Sequence, residues 1–267
     1  MYVISVKHAE TISDFKSHYH NAHQILYIAS GEISVTLKDK AYLVKQGQLL
    51  VLSCFEEHAI KILTPYYTRY TLRISPEVSQ NDISMSHLVS FLVNRPEGFE
   101  NVIDVADFKT EIEKILSEMT QEFTQRQSMY QQQLQLLFSS FLILLYRNVP
   151  GIFSDISAPA AQLVNTIQRN FETCYAESHT IASIAGKYHI STSHLCHIFK
   201  SITGYPLMEY LMNCRLSAAK KMLGQTDKTV SEIVASCGFS NNSNFSRFFK
   251  ERVGMTTTDF RKQYRAK

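Results

Sequence analysis

Two stretches, IASIAGKYHISTSHLCHIFKSITG (181–204) and VSEIVASCGFSNNSNFSRFFKERVG (230–254), repeat one pattern. Both close on Phe-Lys-x-x-x-Gly, as Phe199, Lys200 and Gly204 and again as Phe249, Lys250 and Gly254. The offset is 49 before the turn, from Ile184 to Ile233, and 50 after it, so the second turn carries one added residue. Ile181, Ile184, Ala185 and Tyr188, and then Val230, Ile233, Val234 and Cys237, each form one apolar helical stripe. Thr180 and Thr229 stand where an N-cap belongs, and Glu232 makes a capping box with Thr229. The turns His189-Ile190-Ser191 and Gly238-Phe239-Ser240 follow. The second helices then bury Leu195, Ile198, Phe199 and Ile202, and Phe245, Phe248, Phe249 and Val253. Two such units read as paired helix-turn-helix modules, which point to double-stranded DNA.

The outward faces of the second helices carry Thr192, Ser193, Cys196, His197 and Lys200, and Asn241, Asn242, Asn244, Arg247 and Lys250. Groups of this kind suit a negatively charged groove: Asn and Arg for base edges, Lys and Ser for phosphates. Between the units, LMEYLMNCRLSAAKKMLG (207–224) has helical apolar spacing and a stop at Gly224. A helix of that length spans about 25 Å. It can set two recognition helices roughly one DNA turn apart, reading adjacent major-groove segments.

These residues make region 161–265 resemble the DNA-binding domain of the AraC/XylS family of bacterial transcription regulators. The resemblance runs through Ser193, Leu195, Phe199, Lys200, Gly204, Tyr210, Leu211, Arg215, Leu216 and Ala219, and on through Ile233, Gly238, Phe239, Phe245, Phe249, Lys250, Gly254, Phe260 and Arg261. It implies base contacts from Ser193, Cys196, His197, Asn241, Asn242, Asn244 and Arg247. Phosphate contacts are expected from Thr192, Lys200, Ser240 and Lys250. Thr257 stands where the family usually has Pro, and Cys196 and His197 where longer polar side chains or Arg are frequent.

Charge agrees with this division. Residues 1–150 sum to −3 and residues 151–267 to +6. The five cysteines form no CxxC and read as small buried hydrophobes in a reducing compartment. The longest apolar run, LQLLFSSFLILLY (134–146), is too short to span a bilayer, and no signal peptide is visible. A cytoplasmic protein without membrane contact is expected. No nucleophile motif, phosphate loop or paired carboxylates suggest an enzyme, and no cofactor is expected.

The N-terminal part alternates apolar and polar residues in short runs, with at least four strands in 23–63 and another from Tyr66 to Ile74. Turns are expected at Ser30-Gly31, Lys38-Asp39-Lys40 and Gln46-Gly47. The pattern suggests a small antiparallel barrel or jelly roll. Placed before an AraC-type domain, it looks like that family's cupin-like effector domain. The match runs through His18, His20, Tyr27, Gly31, Gly47 and His58, with Gln24 where metal-binding cupins carry Glu. An amide is a poor metal ligand, so no metal is expected. His18, His20, Gln24, Tyr27 and His58 are the candidate lining of an effector pocket. Residues 84–148 read as helical, over 85–94, 107–127 and 129–148, with a break at Arg95-Pro96.

The fold class expected is thus α+β. It comprises a cupin-like β-barrel (1–80), a helical segment (81–148), a linker (149–160) and an all-α domain (161–267) with helix-turn-helix units at 180–201 and 229–252. The family's architecture implies a homodimer through helices 107–148. The function expected is a sequence-specific regulator of transcription, read as an activator, responding to a small-molecule effector whose class the sequence leaves open and working with RNA polymerase; the alternatives are a regulator without a small-molecule ligand, whose N-terminal domain only dimerises or binds a protein partner, and a metal-dependent cupin tethered to DNA.

Overall fold

The computed structural model describes residues 3–11, 13–18, 20, 22–37, 40–54, 56–75, 78, 87–94, 99–153 and 158–265. The chain divides into two compact units, residues 1–156 and 157–267.

Unit 1 contains strands β1 (Val3–Thr11), β2 (Phe15–His18), β3 (His23–Ser30), β4 (Glu32–Leu37), β5 (Lys40–Lys45), β6 (Gln48–Leu52), β7 (His58–Ile62), β8 (Tyr67–Ile74) and β9 (Val102–Asp104). They form two antiparallel sheets, ordered β1-β8-β3-β6-β9 and β2-β7-β4-β5. The antiparallel cupin-like fold is as expected, in its two-sheet, jelly-roll-like form. Among the described residues, no strand pairing joins the two sheets, which instead pack face to face.

Side chains alternate along a strand. From β3, Leu26 and Ile28 enter the core between the sheets with Leu50, Leu52, Ile33, Val35 and Ile60. Ile25 and Tyr27 enter a second core on the other face of the five-stranded sheet. Helices cover that face: α1 (Ser90–Val93), α2 (Lys109–Gln125) and α3 (Tyr130–Asn148). From α3, Leu134, Leu137, Phe138, Phe141, Leu142 and Leu145 are buried there. Each contributes on the order of 2 kcal/mol through burial. Leu136, Ile143 and Tyr146 of the same helix stay 64%, 40% and 41% exposed.

Region 84–148 is not wholly helical. β9 lies within it, pairing Asp104 with Gln48, Ile103 with Leu49 and Val102 with Leu50. Val149, Ile152 and Phe153, from the segment read as linker, pack against the helix-side core. Lys38, Asp39, residues 85–86, the Arg95-Pro96 break and residues 154–157 lie outside the described residues. No described helix is long and apolar enough to cross a membrane.

Unit 2 contains α4 (Pro159–Thr173), α5 (Ile181–Lys187), α6 (Thr192–Thr203), α7 (Leu207–Gln225), α8 (Val230–Ser236), α9 (Asn242–Val253) and α10 (Thr257–Arg265). The α5–α6 and α8–α9 turns share a backbone pattern. Ile190 N–H donates to Ala185 O at 3.1 Å, and Phe239 N–H donates to Val234 O at 3.0 Å. His189 (φ 53°) and Gly238 (φ 76°) both take the left-handed conformation. The N-caps that follow are Ser191 and Asn241, so the added residue is Ser240. Gly224 does not stop α7. The helix runs through it to Gln225, and a Cβ at Gly224 would lie 2.5 Å from the Tyr264 ring of α10.

Gly238 and Gly254 share φ 76° but differ in space. A Cβ on Gly238 would come 2.6 Å from Ala176 O, while one on Gly254 would meet nothing within 4 Å. Gly254→Ala should therefore cost the backbone penalty of about 1 kcal/mol, and Gly238→Ala about 2 kcal/mol or more. Urea denaturation of the full chain reads this difference; equal losses would contradict the packing at the second turn.

Candidate nucleic-acid interface and effector site

Each recognition helix is fixed at both ends by its own sequence. Ser191 Oγ accepts from His194 N–H at 3.2 Å, capping α6. Asn241 Oδ1 accepts from Ser243 N–H at 2.8 Å and Asn244 N–H at 3.1 Å, capping α9. Gly204 and Gly254 close the C-terminal ends, their N–H groups donating to Lys200 O and Lys250 O. The preceding helices both begin with capping boxes. Thr229 and Glu232 make the expected one; Thr180 and Ser183 make another, through bonds of 3.0 Å each way. The Thr229 N–H and hydroxyl hold the Glu232 carboxyl below its usual pKa.

Leu195, Ile198 and Phe199 of α6, and Phe245 and Phe249 of α9, are buried. Thr192, Ser193, His197 and Lys200 are exposed, with Cys196 half-buried beside them. On the second module Ser240, Asn242, Asn244, Arg247 and Lys250 are exposed. The expected donors are thus exposed in both modules, those of α6 along one side of the helix, whereas Asn242 and Asn244 of α9, two residues apart, point roughly 160° away from each other. Asn241 uses its side-chain oxygen to cap α9 and stays exposed. Asn242 Nδ2 donates to Ser231 Oγ at 2.9 Å, tying α9 to α8.

Helix α7 braces both modules. Arg215 donates to Tyr175 O and Glu177 O, both at 2.8 Å, on the loop whose Ala176 O faces Gly238. Tyr210 donates to Glu172 of α4 at 2.7 Å, and Arg252 of α9 pairs with Glu209 at 3.0 Å. The missing Pro at 257 is offset by a local cap, with Thr256 Oγ1 2.6 Å from Asp259 Oδ2 and accepting from Asp259 N–H.

In unit 1 the effector candidates fall into two groups. Gln24 (6% exposed) lies on the inter-sheet face of β3, in register with Leu52 of that core. His58 (2% exposed) begins β7 on the facing sheet, and its ring centroid lies 5.3 Å from that of His20. His18 pairs with His58 through β2; its side chain lies outside the described residues. Tyr27 is a correction. It faces the helices, donating to Glu113 of α2 at 2.7 Å, and burial beside Glu113 raises its pKa. Three residues from Gln24, it necessarily takes the opposite face of the strand.

Sequence reasoning missed Arg73. It sits opposite Gln24 on β8, between Leu72 and Ile74 of the helix-side core, and is half-buried. A charged residue at an inward position of an alternating strand was the available signal. Among the described residues, no three of His, Cys, Asp and Glu are placed to hold a metal.

Residues 4–142 match the family model of the AraC-like ligand binding domain, and residues 184–263 match a helix-turn-helix domain. The bifunctional transcriptional activator/DNA repair enzyme AdaA of Bacillus subtilis is 35% identical over 103 residues, 39% of this chain and 49% of AdaA. The chain spans about half the length of that relative. The transcriptional activator RhaS of Enterobacter sp. is 22% identical over 92% of this chain and 87% of its own length. ToxT of Vibrio cholerae, solved with an unsaturated fatty acid bound, superposes with TM-score 0.59 at 15% identity, covering 97% of this chain and 95% of ToxT. That likeness concerns the fold.

The capping geometry generates a specific expectation. Asn241→Ala should lower stability by about 1 kcal/mol, while Asn241→Ser should keep most of it. Denaturation midpoints of the two variants check this; an unchanged Asn241→Ala midpoint would free the side chain for another role.

Proposed function

The chain belongs to the AraC family of transcriptional regulators, and from that premise we propose that it activates promoters to which both its modules bind, under control of a small molecule held between the sheets of unit 1. What carries the DNA part of this reading is the exposed polar and basic side chains on the helix that follows each of two matched turns. Ser193, Cys196, His197, Asn242, Asn244 and Arg247 are the base-reading side chains. Thr192, Lys200, Ser240 and Lys250 hold phosphates. Helix α7, with 19 residues, is about 28 Å long. That suits two recognition helices entering adjacent major-groove segments. The first module offers only short or single-ring groups, so Asn244 and Arg247 carry more of the sequence discrimination.

The effector acts by population shift: it must bind one arrangement of the regulator better than another, since equal affinity shifts nothing. Gln24, His20 and His58 line its site. Two copies associate through the outer row of α3, where Leu136, Ile143 and Tyr146 are exposed. The activated complex recruits RNA polymerase.

Genome-wide capture with the purified full-length protein tests the DNA reading: a few promoters sharing two short blocks about ten base pairs apart support it, and diffuse, salt-labile binding refutes it. The promoter affinity measured with and without a low-molecular-weight extract of the source cells tests the effector reading; no change refutes it. Arg247→Ala should cost about 1–3 kcal/mol at one base pair and relax selectivity there, whereas Lys200→Ala should weaken all sequences alike and flatten the salt dependence. Leu136→Glu combined with Ile143→Glu should halve the mass seen by sedimentation equilibrium; a wild-type mass would place the dimer contact elsewhere.

A further inference from the structure

The space between the sheets of unit 1 holds polar groups that its apolar core leaves unexplained. Gln24 is buried, and its Oε1 accepts no hydrogen bond among the described residues. A buried acceptor left unmatched is costly, and folded chains seldom keep one without a use. Arg73 is its direct neighbour in the ladder. Registered partners in an antiparallel pair project to the same face. Leu26 and Leu52, beside Gln24, belong to the inter-sheet core, so the Arg73 side chain shares that face.

The contrast with Arg69, on the same strand and the same face, is informative. Arg69 donates to Thr11 Oγ1 at 2.5 Å and lies over the Phe15 and Tyr67 rings at 5.1 and 4.9 Å. Arg73 has no hydrogen-bond or ion-pair partner among the described residues. Burial pulls its pKa below the usual arginine value, and among the described residues no carboxylate offsets that pull. A guanidinium does not surrender its proton to escape burial. It needs an anion. His58, which starts β7 six residues after Leu52, stands on the facing sheet at this end, with the His20 ring beside it.

We propose that Arg73 and Gln24 form the recognition pair for a small organic anion carrying a hydroxyl group, of the hydroxy-acid or sugar-acid class. This rests on the reading of unit 1 as the effector domain. Arg73 presents two parallel N–H groups to the carboxylate. Gln24 Oε1 accepts the hydroxyl proton. A neutral sugar leaves the cation unmatched, and an acid without the hydroxyl leaves the amide oxygen unmatched, so each residue excludes one class of competitor.

The test uses the full-length protein, with melting temperature and calorimetric affinity measured for matched pairs: gluconate and glucose, glycerate and glycerol, lactate and propionate. The hydroxy acids should raise the melting temperature and bind; glucose and glycerol should not, and propionate should bind more weakly than lactate. Arg73→Gln should weaken hydroxy-acid binding at least tenfold while melting no lower than the parent without ligand, since it removes a half-buried charge that has no partner among the described residues. Arg73→Lys should retain part of the affinity, and Gln24→Leu should erase the preference for lactate over propionate. Neutral and acidic members binding alike, Arg73→Gln binding the acids as the parent does, or silence of all the acids would each overturn the proposal. If the cell extract still shifts promoter affinity in that case, the effector reading stands and only the anion class falls; if the extract is also without effect, both fall.

Discussion

Strand β3 has no solvent face, and unit 1 is arranged around that fact. A strand buried on both sides must divide its side chains between two cores. Ile25 and Tyr27 go to the helices, Leu26 and Ile28 to the other sheet. The division decides which polar groups can meet. Gln24, Arg73 and His58 share the inter-sheet space, while Tyr27 is committed to Glu113 on α2. Whatever enters between the sheets therefore touches the same strand that anchors the helices.

Unit 2 rests on a different economy. Its modules are short, and isolated helices of seven and twelve residues hold poorly in water. Caps, a shared turn and a bracing helix supply what length does not. Arg215 is central because it satisfies two loop carbonyls at once, and the carbonyl between them rests against Gly238. A cation on α7 thereby determines the backbone of the second turn, far away in sequence.

Legibility in the sequence followed the range of the interactions. The two modules were readable because N-caps, apolar stripes and left-handed turn residues are set by neighbours within a few positions. The ligand-domain strands were readable as strands for the same reason, though alternation could not say whether their sheets close. β9 was hidden: three residues become a strand only because β6 offers an unpaired edge. Gly224 looked like a helix stop, because the Tyr264 ring that occupies its missing side chain lies forty residues on. Asn241 and Tyr27 were of the right type for a site and were taken by other partners. Tyr27 could have been separated from Gln24 by counting, since an odd spacing on a strand means opposite faces. Arg73 needed the same count.

Ser240 gives the repeat one residue more in its second copy, and the exposed side chains of α6 and α9 differ at nearly every position. No symmetry operation maps one module onto the other. A chain that grips a duplex through both modules would therefore lie on it with a head and a tail.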